Sequence, residues 1–136
     1  MPAERFLDTN VLLYLYSEDE PERRARAREL VMDGTGTWVS TQVLSEMANV
    51  LHRKFGVAYP NIVLALNEIR AVCAVHQMTP ETIALALSLA ERYRYAYYDS
   101  LILAAALECG CQELASEDMQ NGFVVDSRLT IRNPFM

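Results

Sequence analysis

The sequence predicts an α/β domain built on a mostly parallel sheet. Short apolar runs alternate along the chain with longer stretches of helical periodicity, the pattern of strands joined by helical crossovers. Start and stop signals punctuate those stretches: Thr79-Pro80-Glu81 opens one helix, and Gly56 and Gly110 close two others. Hydrophobic residues make up 51% of the chain, against only 5 Gly and 5 Pro, so it can bury a substantial core. At 136 residues it reads as one domain spanning 1–136.

FLDTNVLLYLY (6–16) opens the pattern, with a first strand of five to seven residues beginning near Arg5 and a short helical turn running towards Tyr16. Arg23, Arg24, Arg26 and Arg28 then alternate with Ala25, Ala27, Leu30 and Val31, as in an amphipathic helix. Its arginines suit a solvated face or a contact with RNA or an acidic partner. A turn over Asp33–Thr37 leads to a strand over Trp38–Thr41. Ser40 or Thr41 can cap the following helix, which runs to Phe55 and stops at Gly56. Tyr59-Pro60 marks the next boundary, before a helix from Asn61 to Ala71. A strand is expected within Val72–Met78, and a capped helix from Thr79 to Tyr93. A long apolar helix over Tyr97–Gly110 precedes further strands within Cys111–Asp118 and Phe123–Val125.

No apolar run approaches the roughly 18 residues of a membrane span, and the N-terminal residues carry no signal-like pattern. A cytoplasmic location, with no membrane partner, is the resulting expectation. Cys109-Gly-Cys111 is too tight for a Cys-x-x-Cys redox or zinc pattern, so the 3 cysteines read as free thiols. His52 and His76 have no second ligand at metal spacing and read as structural or surface histidines. The formal charge of −6 disfavours nucleic-acid binding by broad phosphate neutralisation. Carboxylates that converge on divalent cations would reverse the local field where a phosphate must arrive.

Four acids stand out. Asp8 interrupts an apolar run, and parallel sheets bind ligands outside the carboxyl ends of their strands. Glu46 lies between Leu44 and Met47 in an apolar helix, Asp99 opens DSLILAAAL, and Asp118 follows a strand candidate. Carboxylates are rarely buried unpaired, and several brought together raise one another's proton affinity unless a cation sits between them. Hard Mg²⁺ or Mn²⁺ prefers such oxygen ligands. Each acid also has a plainer role: Asp8, Asp99 and Asp118 as caps or turn residues, Glu46 as partner of His52 or Arg53. Spacing leaves both possibilities open.

In FLDTNVLLY, VSTQVLSEMANVL, YYDSLILAAALECGC and ELASEDMQNG, taken in order, the chain resembles the PIN-domain nucleases, in particular the VapC-like ribonuclease toxins of toxin–antitoxin pairs. The resemblance spans nearly the whole chain. It implies an α/β/α sandwich with acidic residues gathered at the carboxyl edge of the sheet. It also implies metal-dependent RNA cleavage by a dimer held inactive by a cognate antitoxin. Carried over by position, Asp8, Glu46, Asp99 and Asp118 become catalytic residues and ligands of Mg²⁺, with Mn²⁺ as a substitute. Thr9, Asn10 and Ser116 become the residues that hold those carboxylates or their waters in place, and Glu117 either adds a carboxylate or faces water. Asp126 lies near the rim as a structural residue, and FVVDSRLTIRNPFM resembles the closing strands of such domains. The exposed apolar faces of the helices around 62–71 and 83–90 suit either a symmetric interface or the covering layer of the sheet.

Two other functions compete. A phosphatase could use Asp8 as nucleophile, but Asn10 stands where that arrangement needs a second Asp, and the sole lysine, Lys54, falls in mid-helix. A non-catalytic RNA- or protein-binding module would retain the fold without requiring metal.

Overall fold

A computed structural model describes residues 4–33 and 36–136; Gly34 and Thr35, in the expected Asp33–Thr37 turn, lie outside the described residues. The chain begins with β1 (Arg5–Leu7), α1 (Thr9–Leu13), a single 3₁₀ turn (Tyr14–Tyr16) and α2 (Pro21–Met32). Next come β2 (Thr37–Ser40), α3 (Thr41–Arg53), α4 (Tyr59–Val72) and β3 (Ala74–His76). The chain closes with α5 (Pro80–Tyr93), α6 (Tyr97–Glu108), β4 (Glu113–Ala115), β5 (Val124–Val125) and β6 (Leu129–Arg132). The sheet order is β3-β2-β1-β4-β6-β5, parallel throughout except where β5 pairs antiparallel with β6. This is the expected α/β fold with a mostly parallel sheet flanked by helices.

That order locates the site. From β1 the chain steps outward to β2 and β3, then returns to place β4 on the other side of β1. Right-handed crossovers therefore send the early and late helices to opposite faces, and the order reverses between β1 and β4. Such a reversal opens a crevice beyond the carboxyl ends of the strands. Asp8 follows β1 directly at this crevice, its N–H bonded to the Ala115 carbonyl at the end of β4 (3.0 Å).

The helices form where local chemistry starts them. The Ser40 hydroxyl accepts from the Val43 N–H to cap α3, and Thr79 and Thr82 form a reciprocal capping box on α5. In α6 every residue from Ser100 to Leu107 is buried, so this helix is apolar on all sides and forms the middle of the core. It packs on β2 and β4 and along α5. Phe6, Leu7, Val39, Met47, Leu103 and Leu114 are fully buried with it.

β1 is shorter than expected, at 3 residues. The Asp8 carboxylate accepts the Thr9 N–H and turns the chain into α1, whose Val11 and Leu12 go into the core as helical rather than strand residues. The strand at 37–40 ends one residue earlier than expected because Ser40 serves as the cap of α3. Cys73, Cys109 and Cys111 are free thiols. His52 stacks on Tyr59, and His76 pairs with Glu108 at 2.8 Å. Among the described residues, no helix is long and apolar enough to cross a membrane.

Candidate functional site

Four separate segments bring their acids to one cleft of about 260 Å³, lined by Asp8, Glu46, Asp99 and Asp118 together with Thr9, Asn10 and Asn49. β1 supplies Asp8 at its carboxyl end. α3 projects Glu46 from its middle, α6 presents Asp99 in its first turn, and Asp118 stands three residues beyond β4. Asp8 lies deepest, only 8% exposed, whereas Asp118 is exposed at the mouth.

Neighbouring groups hold each acid in a set orientation. One Asp8 oxygen accepts the Thr9 N–H and the other accepts the Ser116 hydroxyl, each at 2.8 Å. Ser116 is itself fully buried, so this second bond has little solvent to compete with it. The Thr9 hydroxyl donates to Glu46 (2.8 Å), and the Gln42 amide donates to the other Glu46 oxygen (2.9 Å). Gln42 also donates to the Tyr98 carbonyl, tying α3 to the first turn of α6. Asn10 donates through its amide to Asp118.

The electrostatics are those of like charges gathered in a cleft that, among the described residues, no Lys or Arg side chain lines. Burial raises the Asp8 pKa to about 6, against the lowering pull of the Ser116 and Thr9 hydrogen bonds, and the nearby Asp99 and Glu46 charges add to the rise. Asp99 is raised too, first by burial and then by the charges of Asp118 and Glu46. A divalent cation would relieve this repulsion, and the all-oxygen donor set suits a hard one. Among the described residues, no group of three or more His, Cys, Asp or Glu side chains is drawn together tightly enough to hold a metal as it stands. The donor chemistry fits a divalent metal; the spacing is that of an open cleft rather than a closed cage.

Glu117 departs from both of its expected roles. It neither joins the cleft nor simply faces water, because it accepts the Tyr14 hydroxyl (2.6 Å) and pairs with Arg23. Arg23 also lies over the Tyr14 and Phe135 rings, so one of the four helix arginines is a structural tie between α2 and the segment after β4. Glu46 contacts Thr9 and Gln42 rather than His52 or Arg53. Asp99 falls in the third position of α6, with Ala96 at the cap. Asp126 bonds Arg92 and the Tyr93 hydroxyl on the β5–β6 turn. Two contributors escaped the sequence reading. Gln42 and Asn49 lie four residues before and three after Glu46, the spacing that shares a helix face, and that spacing could have found them.

The comparisons agree with this architecture. The model of the PIN domain matches residues 5–120. No curated protein matches the sequence. Among solved structures, the chain is similar to the Mycobacterium tuberculosis toxin VapC20, described as cleaving the sarcin–ricin loop. That match has a TM-score of 0.68 and 23% identity over 84% of this chain and 89% of that one. A toxin–antitoxin complex from Klebsiella pneumoniae superimposes with a TM-score of 0.71 at 18% identity, covering 96% and 97% of the two chains. FitAcB from Neisseria gonorrhoeae gives 0.61 at 14% identity, covering 96% and 98%. At these identities the solved structures speak to the fold, while the family match spans most of the sequence: the chain belongs to the PIN-domain family.

Proposed function

We propose that the chain, read as one PIN-like domain over 1–136, is a metal-dependent endoribonuclease and the VapC-like toxin of a toxin–antitoxin pair. The observation that carries this reading is the convergence of Asp8, Glu46, Asp99 and Asp118, from four separate segments, on one cleft at the strand-order reversal. Asp8, Asp99 and Asp118 would hold Mg²⁺ or Mn²⁺, with Glu46 completing the set or orienting the attacking water. Bound there, the metal supplies the positive charge that acidifies water and offsets charge growing on the phosphoryl oxygens.

The chain's own groups position that chemistry. Ser116 and the Thr9 N–H fix both oxygens of Asp8, so its carboxylate enters the cleft already oriented. Thr9 and Gln42 do the same for Glu46, and Asn10 aims Asp118 at the mouth. Among the described residues no histidine lines the cleft, which favours metal-assisted hydrolysis over a mechanism using paired histidines.

An antitoxin partner is supported by the toxin–antitoxin complexes among the similar folds. A homodimer is supported by the apolar residues that α4 and α5 leave in solvent, Val63, Leu64, Ile83 and Leu87, while Ile62 and Ala86 on the same helices cover the core. RNA is the substrate and the cytoplasm the expected compartment.

The test incubates wild type and Asp8→Asn with mixed cellular RNA at low salt, in Mg²⁺, Mn²⁺ or EDTA. Cleavage that requires metal and disappears in a folded variant is the expected result. Metal-independent RNA association with no cleavage by folded, antitoxin-free wild type would transfer the reading to a binding module.

A further inference from the structure

Beside the carboxylate cleft lies a second recess of about 300 Å³, lined by Leu13, Tyr14, Ser17, Phe55 and Glu117. It shares Asn10, Leu13 and Asp118 with the cleft, so the two open on a common mouth. Its volume is at the small end of the roughly 300–1,000 Å³ typical of ligand pockets. We propose that this recess is a base-binding subsite, taking one unpaired RNA base next to the scissile phosphate, stacked on Phe55. The proposal rests on the nuclease reading above and deepens it by naming how substrate is gripped.

Three observations converge on a base. Phe55 is a large aromatic left 48% exposed although the chain has a full core in which to bury it. Every base offers a π-face, so an exposed ring beside a phosphodiester cleft matches single-stranded nucleic acid. The recess also discriminates between parts of a nucleotide. Its polar rim carries the Asp118 carboxylate and the Glu117 carboxylate, the latter paired with Arg23. Among the described residues no Lys or Arg side chain lines it, so it offers acceptors for N–H groups rather than donors for a phosphate. Each of those carboxylates already has partners in the protein, Glu117 the Tyr14 hydroxyl and the Arg23 guanidinium, Asp118 the Asn10 amide. A carboxylate has roughly four lone-pair sites, so acceptor capacity remains for a base amino group. Adenine, guanine and cytosine carry one and uracil does not.

The course of α3 supplies the third observation. Glu46, Asn49 and Val50 line the cleft, and Arg53 and Lys54 follow one turn on along that stripe, both exposed, immediately before Phe55. A strand whose phosphate lies at the carboxylates and whose base lies on Phe55 therefore runs past two cations, in a chain with few to spare. These cations suit a nucleic acid better than an apolar protein segment.

The experiment uses single-stranded oligonucleotides that the wild type cleaves, with kcat and KM measured in Mg²⁺ and binding measured by anisotropy in an Asp8→Asn background. Phe55→Ala should raise KM and Kd roughly tenfold, the loss of one base–aromatic stack, with a much smaller change in kcat. Phe55→Trp should restore both. An abasic nucleotide scanned along the oligonucleotide should, at one position, cost the wild type the same factor and cost Phe55→Ala nothing further. If Phe55→Ala matches an active wild type in KM and Kd, the subsite is overturned while the nuclease stands. If it leaves RNA binding intact and instead abolishes association with a protein partner, the recess belongs to that partner. A wild type that neither cleaves nor binds RNA removes the nuclease reading and this proposal with it.

Discussion

Asp8 and Asp126 each accept a hydroxyl hydrogen bond, Asp8 from Ser116 and Asp126 from Tyr93, yet of the two only Asp126 is given a counter-charge by a neighbouring side chain. At the hairpin between β5 and β6, Asp126 accepts from Arg92 (2.7 Å) and the Tyr93 hydroxyl (2.6 Å), while its own N–H donates back to Tyr93. Its pKa is lowered, chiefly by Arg92 and then Tyr93. At the end of β1, Asp8 has Ser116 and the Thr9 N–H, among the described residues no Lys or Arg lines its cleft, and its pKa is raised to about 6 by burial. One carboxylate is satisfied by the protein. Under the proposed function the other would take its counter-charge from a bound divalent cation, which is how a functional carboxylate differs from a structural one.

The largest expected effect comes from breaking the Asp8 side of this contrast. Asp8→Asn should reduce metal-dependent RNA cleavage by on the order of 10³-fold, the scale on which charge-stabilising groups act. The same change should stabilise the metal-free protein. Between about pH 4 and 6 the native state keeps a proton that the unfolded chain has released, so wild-type stability falls as pH rises through that window. Above it the wild type bears the full penalty of a buried charge, on the order of 3 kcal/mol. Chemical denaturation at pH 5 and pH 7.5 measures this: the variant should gain more at the higher pH. Mg²⁺ should then reverse the ranking by raising the Tm of wild type and not of the variant.

Ser116→Ala sharpens the comparison less drastically. It removes the strongest group that favours the ionised form of Asp8, so the carboxylate becomes freer in orientation and its pKa rises further. Metal affinity, followed by titration calorimetry, should fall about 10- to 100-fold. The acid limb of the pH–rate profile should move to higher pH. An unchanged profile would mean that Ser116 is only filling space beneath the cleft.

These two positions also show what was legible beforehand. Asp8 could be singled out because a carboxylate inside FLDTNVLLY conflicts with burial, and Glu46 because an acid between Leu44 and Met47 conflicts with an apolar helix face. The alternation of strands and helices followed from capping and breaking signals at Ser40, Gly56 and Thr79, which act locally. The order β3-β2-β1-β4-β6-β5 depends on contacts between distant segments, and motif resemblance rather than periodicity pointed to the gathering of four acids at one edge. The length of β1 was misjudged for a related reason. Val11 is as apolar as any strand residue, and the Asp8 cap, which the sequence offered as one of two roles for that acid, makes it helical. Glu117 was beyond reach because its partners Tyr14 and Arg23 lie about a hundred residues away.

The smallest effect tests the Asp126 side. Asp126 and Ser127 both have positive φ, 50° and 56°, and the Arg128 N–H bonds the Val125 carbonyl across them, so they form the two central residues of a tight hairpin turn. Asn tolerates this left-handed conformation at least as well as Asp, so Asp126→Asn removes the charge without straining the turn. Because the pKa of Asp126 is lowered in the fold, its contribution is present above the unfolded value near 3.8 and is lost as pH falls through the folded value. That slope is opposite in sign to the slope from Asp8. Asp126→Asn should therefore lower the Tm by roughly a few degrees at pH 7 and flatten the acid edge of the stability curve. RNA cleavage should stay at the wild-type rate, since Arg92 and Tyr93, not the cleft, hold this carboxylate. A matched loss of cleavage would instead place the hairpin in contact with substrate and dissolve the distinction between the two aspartates.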